Sequence, residues 1–156
     1  MANRNLLMLP ELALLAYKGK KTETRRTGKR YANWRAGDTI WIREPWAVHP
    51  FCDSLKIPAT GLSSLIIYHH PKLDGLRKRS ALSMPKWAAR THAVITSVHQ
   101  ERLKEITEAG AIAEGFESRK EFAELWDEIK TTPETQWDAN PMVWVVKFEL
   151  LRLSLD

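Results

Sequence analysis

The sequence predicts an α+β fold with a mostly antiparallel, curled sheet, and three observations carry that expectation. Candidate elements run strand–helix–strands–helices–strand, without the regular alternation that builds a parallel sheet. The last candidate strand, "PMVWVVKFELLRL", is nearly continuous in apolar residues, the pattern of a central strand. A chain of 156 residues, 44% apolar and 28% charged, has the length and composition of one domain with one core.

The elements follow in chain order. "NLLML", Asn5 to Leu9, reads as a short buried strand. Pro10 suits the first turn of a helix, and Glu11 suits the positive end of its dipole. "ELALLAYKG" continues that helix until Gly19 stops it. In "GDTIWIREPW" a turn precedes a strand in which Ile40 and Ile42 alternate with Trp41 and Arg43. "LSSLIIYHH" is a further strand, ended by Pro71. "RTHAVITSVHQERL" is rich in β-branched residues and sets Ala93, Ile95 and Ser97 against Val94, Thr96 and Val98. "TEAGAIAEG" predicts a helix capped by Thr107 and stopped at Gly115. "SRKEFAELWDEIK" carries a capping box in Ser118 and Glu121, and an apolar stripe in Phe122, Leu125, Trp126 and Ile129. "KTTPETQWDANP" is the polar loop before the last strand. No repeat, low-complexity tract or linker divides the chain, so residues 1–156 are expected to form a single domain.

The longest apolar runs, "LLML" and "ELALLAY", are too short to span a bilayer as helices. The start "MANRNLLMLPE" lacks the apolar stretch and cleavage site of a secretory signal. The single cysteine, Cys52, cannot close an internal disulfide and suits a reducing compartment. A cytoplasmic protein with no membrane partner is the expectation. The net charge of +5 is unevenly spread: Lys18 to Arg35 carries a balance of +7, Lys72 to Arg90 of +5, and Glu101 to Asp138 of −6. If the basic segments meet in space, they make a face that attracts RNA or a nucleotide; scattered, they are a solvated surface.

The densest basic stretch, "KGKKTETRR" from Lys18 to Arg26, holds the candidate site. Cations just beyond a helix C-terminus are favoured by about 0.3–1 kcal/mol, which accounts for Lys18, Lys20 and Lys21 without any function. It leaves Thr22, Thr24 and the further cations Arg25, Arg26 and Lys29 unexplained. A P-loop is excluded, because Leu14 and Glu23 stand where the first glycine would precede Gly19-Lys20 or Gly28-Lys29. A solvated basic loop, a phosphate clamp and a lysine-assisted threonine all remain open.

Gly19-x-Lys21-x-x-Thr24-x-Arg26 resembles the G-x-K-x-x-T-x-R signature of ASCH domains, small relatives of the PUA RNA-binding fold. "GDTIWIREPW" looks like the strand that follows that signature, and "ITEAGAIAEGF" like the helix ending in Glu-Gly. "MPKWAAR", "FAELWDEI", "WDANP" and "VWVVKFEL" are similar to the phage- or prophage-encoded branch. The segments keep their order along most of the chain. The resemblance implies a PUA-like, mostly antiparallel β-barrel with flanking helices and a cleft holding the signature. It also implies RNA or nucleotide binding. One branch hydrolyses N4-acetylcytidine and related N4-acylcytosines with a Lys, a Thr and a Glu; these match Lys21, Thr24 and, by its place in a stretch of similar length, Glu114. Another branch is associated with ribonuclease activity. Here a long segment, residues 48–79, is inserted relative to the small amidohydrolases.

The trio is chemically coherent. A threonine hydroxyl needs a base beside it. Lysine serves when its pKa is lowered, and Lys20, Arg25 and Arg26 push in that direction. Glu114, at a helix end whose dipole disfavours negative charge, suits proton transfer to a leaving amine. It is equally read as a surface residue before a helix-stopping glycine. Arg26 has the planar fork that suits phosphate or carboxylate, while Gly19, Lys20 and Arg25 flank the site. Arg43 and Glu44 of "REPW" stand at a strand end, either in a cleft or as a structural pair. Trp34, Trp46 and Trp87 either stack on a base or fill the core. His69 and His70 are adjacent on a strand and face opposite ways, and His49, His92 and His99 lack ligand spacing, so neither a metal nor a cofactor is expected. Two classes of function survive: a non-catalytic binding module for RNA or nucleotides, and a hydrolase, either amidohydrolase or ribonuclease.

Overall fold

The computed structural model describes residues 1–50, 66–68 and 76–152. Cys52, His69, His70 and much of the inserted segment lie outside the described residues. The strands are β1 (Asn3–Leu7), β2 (Glu23–Arg26), β3 (Thr39–Arg43), β4 (Trp46–Val48), β5 (Ile66–Tyr68), β6 (His92–Arg102) and β7 (Met142–Leu150). The α-helices are α1 (Pro10–Tyr17), α2 (Glu108–Glu114) and α3 (Arg119–Ile129). No helix among the described residues is long and apolar enough to cross a membrane.

Five strands form one sheet in the order β1-β3-β6-β7-β2, and β4 pairs with β5 in a small second sheet. Every pairing is antiparallel except β1 with β3. The α+β, mostly antiparallel expectation therefore stands. The barrel does not: among the described residues the main sheet is open, with β1 and β2 at its edges. The free edge of β2 meets a helix instead of another strand. Thr22 N donates to Ala113 O at 2.8 Å and Arg25 N to a carboxylate oxygen of Glu114 at 2.5 Å. With its amides engaged by α2, this edge no longer templates a further strand.

β7 lies inside the sheet, and both faces of it are buried. Val143 and Val145 pack on Phe122 and Trp126 of α3, while Val146 and Phe148 pack with Leu6, Ile40 and Ile95 and with Ala13 and Ala16 of α1. That two-sided burial is why its sequence is nearly continuous in apolar residues. In β6 the register shifts between Ile95 and Ser97, so the alternation read from the sequence holds through Ile95 and then breaks at the bulge. α1 ends as expected: Gly19 takes φ +76° and Lys20 N reaches back to Leu15 O at 2.8 Å.

At α3 only half of the capping box forms. Ser118 Oγ accepts from Glu121 N at 3.1 Å, but the Glu121 carboxylate turns to Glu117 N at 2.8 Å. Ser118→Ala should remove the cap, cost about 1 kcal/mol and lower Tm by about 2–4 °C in a calorimetric scan. An unchanged Tm would show that this cap contributes nothing in solution.

Candidate functional site

The basic stretch is a loop only through Thr22. From Glu23 to Arg26 it becomes strand β2 by pairing with β7, Thr24 opposite Val146 and Arg26 opposite Trp144. Side chains alternate across a strand, so Thr24 and Arg26 share one face and Glu23 and Arg25 the other. Beside Thr24 and Arg26 opens a cavity of about 460 Å³. Lys21, Arg25 and Glu114 lie in its wall, Phe122, Leu125, Trp126, Ile129 and Lys130 of the α3 segment form a largely apolar side, and Leu7–Pro10, Leu12, Pro45, Ser80–Leu82 and Phe116 complete it.

Lys21 and Glu114 are buried together, at 1% and 4% exposure. Lys21 Nζ donates to Glu23 O at 2.9 Å, Glu114 O at 2.7 Å and Glu114 Oε2 at 2.5 Å. Those three acceptors match the three hydrogens of an ammonium. The other Glu114 oxygen takes the Arg25 amide. Burial pushes the Lys21 pKa below the ordinary lysine value, against the raising effect of Glu114, and the charge of Arg26 adds to the lowering. The direction agrees with the sequence expectation, but its main cause is burial. Lys20 is exposed, and the Arg25 guanidinium is engaged by Glu23 at 2.9 Å and Glu101 at 3.0 Å.

Glu114 is aimed at Lys21 because α2 stops there. Gly115 adopts φ +103°, and a Cβ at that position would stand 2.9 Å from Leu15 Cδ1. The glycine both reverses the chain and lets the helix end press on α1. Thr24 is buried, and its Oγ1 accepts from Arg26 Nε at 3.1 Å, so its own hydrogen is left to donate. Arg26 also donates to Leu7 O at 2.6 Å, tying the β2 edge to the end of β1.

The remaining candidates separate. Gly19 shapes the helix exit, and neither it nor Lys20 lines the cavity. Arg43 lies outside it as well: its guanidinium holds Leu82 O at 2.9 Å and Met84 O at 3.3 Å, which steadies the segment forming one wall. Glu44 is fully buried and pairs with Arg90 through two hydrogen bonds of 2.8 and 3.0 Å, so the structural pair is Arg90–Glu44 and not the adjacent Arg43–Glu44. Trp46 is in the core, donating to Ser83 Oγ at 3.3 Å, and Trp34 packs edge-on against Tyr31. Trp87 is half exposed, away from the cavity. The tryptophan bordering the cavity is Trp126, with Lys130 5.3 Å from its ring. Lys130 is the residue that sequence reasoning missed. Its signal was present, since it stands four residues after Trp126 at the end of the apolar stripe.

The charged segments of the sequence also meet differently from a polarised face. The basic 18–35 stretch and the acidic 101–138 stretch pair with each other, through Lys21–Glu114 and Arg25–Glu101. Among the described residues no group of three or more His, Cys, Asp or Glu could hold a metal ion.

No protein-family model and no curated protein sequence matches the chain. Solved structures do. A protein of Enterococcus faecalis described as DUF984 aligns with a TM-score of 0.52 at 15% identity, over 100% of this chain and 84% of that one. An ASCH domain from Lactobacillus crispatus aligns at 0.49 and 12% identity, over 96% and 79% of the two chains. A mutant of an ASCH protein from Zymomonas mobilis aligns at 0.48 and 12%, over 98% and 77%. The Enterococcus likeness is one of fold, extending over the whole chain.

Proposed function

We propose that this chain is an ASCH-type protein of PUA-like fold that binds a nucleotide, free or within RNA, in the cavity beside β2, and that it hydrolyses the N4-acyl amide of an acylated cytidine there. One observation carries the proposal: Lys21, Thr24 and Glu114, the last 93 residues from the first, line the same small cavity. Its volume falls in the range of sites that enclose a small molecule, roughly 300–1,000 Å³. An apolar, aromatic side next to fixed cations suits a base with a polar substituent.

In the proposed step Thr24 Oγ attacks the acyl carbon. The Thr24 proton passes to Lys21 when the proton of the Lys21–Glu114 pair resides on the carboxyl. The C–N4 bond breaks as Glu114 returns that proton to the leaving amine. Water then hydrolyses the threonyl ester and frees the carboxylic acid. Burial supports this, since it favours the neutral lysine that a base must be.

A second reading, binding without chemistry, is favoured by the three acceptors around Lys21 Nζ, which hold an ammonium in place as a fixed charge. Wild type and Lys21→Ala incubated with N4-acylated cytidines and an RNA digest, with products resolved by chromatography, distinguish the readings. Cytidine and free acid from the wild type alone are expected. Retained cytidine binding with intact substrate would leave the binding module, and shortened RNA would point to ribonuclease action.

A further inference from the structure

We propose that Arg26 and Lys130 form an anion subsite in the cavity wall, which takes a phosphate attached to the bound nucleoside. The inference rests on the nucleotide reading of the cavity and assigns the side chains that hold the phosphate of that nucleotide. Arg26 reaches the cavity from the end of β2 and Lys130 from the residue that follows α3.

Several cations held inside this fold have carboxylate partners: Lys21 has Glu114, Arg25 has Glu23 and Glu101, and Arg90 has Glu44. The half-buried Arg43 and Arg119 guanidiniums bond to neutral acceptors instead, but outside the cavity. Arg26 and Lys130 also bond to neutral groups, and both line the cavity. Arg26 donates to the Thr24 hydroxyl and the Leu7 carbonyl, and Lys130 to the Thr27 hydroxyl at 3.1 Å. All of those acceptors are neutral. Both side chains are half-buried against a wall that is largely apolar. Burial, and after it the charge of Arg26, pushes the Lys130 pKa below the ordinary lysine value, so the two cations act on each other. Like charges in a partly desolvated pocket, with no anion between them, are unfavourable until a ligand brings one. Donors remain for it. Arg26 has five N–H groups and Lys130 three, more than these neutral contacts use. A phosphate oxygen accepts from a guanidinium and an ammonium at once.

The test is calorimetric titration at fixed ionic strength of cytidine, cytidine 5′-monophosphate, a cytidine-containing dinucleotide and inorganic phosphate. Each is added to wild type, Lys130→Met and Lys130→Arg, after a Tm measurement confirms folding. On the wild type the monophosphate or the dinucleotide should bind at least about tenfold more tightly than cytidine. Which of the two does so tells whether the site takes a terminal or an internal phosphate. Lys130→Met should abolish the preference while Lys130→Arg retains it, and inorganic phosphate should weaken in parallel. Cytidine binding with no phosphate preference would overturn the subsite and leave the cavity reading intact. So would a preference that Lys130→Met leaves unchanged. Phosphate binding that depends on Lys130, without any cytidine or nucleotide binding, would uphold the subsite and remove the nucleotide reading. Binding of none of the four ligands would remove both.

Discussion

Glu114→Gln should destabilise the fold by about 3–5 kcal/mol, the typical cost of removing one partner from a buried ion pair. Both oxygens of Glu114 have donors, Lys21 Nζ on one side and the Arg25 amide on the other. A glutamine offers one oxygen, and its NH2 must face one of those two donors. Lys21 is left with an uncompensated charge at 1% exposure. The loss should depend on pH. In the variant, burial still holds the folded-state pKa of Lys21 below its unfolded value near 10.5, without the opposing effect of the carboxylate. Between those two values the unfolded chain binds more protons than the folded one. Stability therefore rises with pH through that window, by at most about 1.4 kcal/mol per unit, and levels off below the folded-state pKa, where both states are protonated. The wild type shares the sign, and its window is narrower because Glu114 favours the charged lysine. Urea denaturation from pH 6 to 10 measures this. A Glu114→Gln curve parallel to the wild type's would refute the coupling of the pair. A double-mutant cycle with Lys21→Met should return a coupling of about 2–3 kcal/mol, even though two backbone carbonyls then lose their donor.

On the proposed mechanism, Thr24→Val should lower kcat for N4-acylcytidine hydrolysis by at least about 10³-fold, as removal of a nucleophile that works with its base does. The substitution keeps the shape of the side chain and deletes the hydroxyl. Folding should lose only about 1 kcal/mol, for the hydrogen bond that Arg26 Nε makes to Oγ1. Affinity for cytidine should change little, because the apolar wall and the cations are untouched. Thr24→Ser should restore much of the rate. Full hydrolysis by Thr24→Val would remove the mechanism. Loss of cytidine binding together with the rate would instead make Thr24 a binding residue.

Much of the fold was legible because its signals are local. Thr107 caps α2 through Gly110 N at 3.0 Å and Ser118 caps α3, each by a side chain that bonds within its own first turn. Gly19 and Gly115 take the positive φ that a helix stop requires, at +76° and +103°. The apolar stripe of α3 and the continuous run of β7 follow from periodicity. β2 was not legible, since its cations and hydroxyls read as a loop until β7 supplies the pairing. β1 was legible as a strand, but its parallel partner was not. The candidate site divides in the same way. Lys21, Thr24 and Arg26 stand in one short motif, whereas Glu114 came from the family resemblance and Lys130 only from the folded chain. Arg43, Glu44 and Trp46 looked suitable by residue type, yet their partners are structural.

The sequence by itself determined the α+β class, most helix limits and a cationic motif that carries a threonine. Those depend on residues within a turn or two of one another. The tertiary structure decided the strand order among the described residues, the burial of Lys21 and which charges are paired. It did so because a buried charge is set by what desolvates and neutralises it. For Lys21 that is a carboxylate 93 residues away, at the end of a helix docked on the edge of β2.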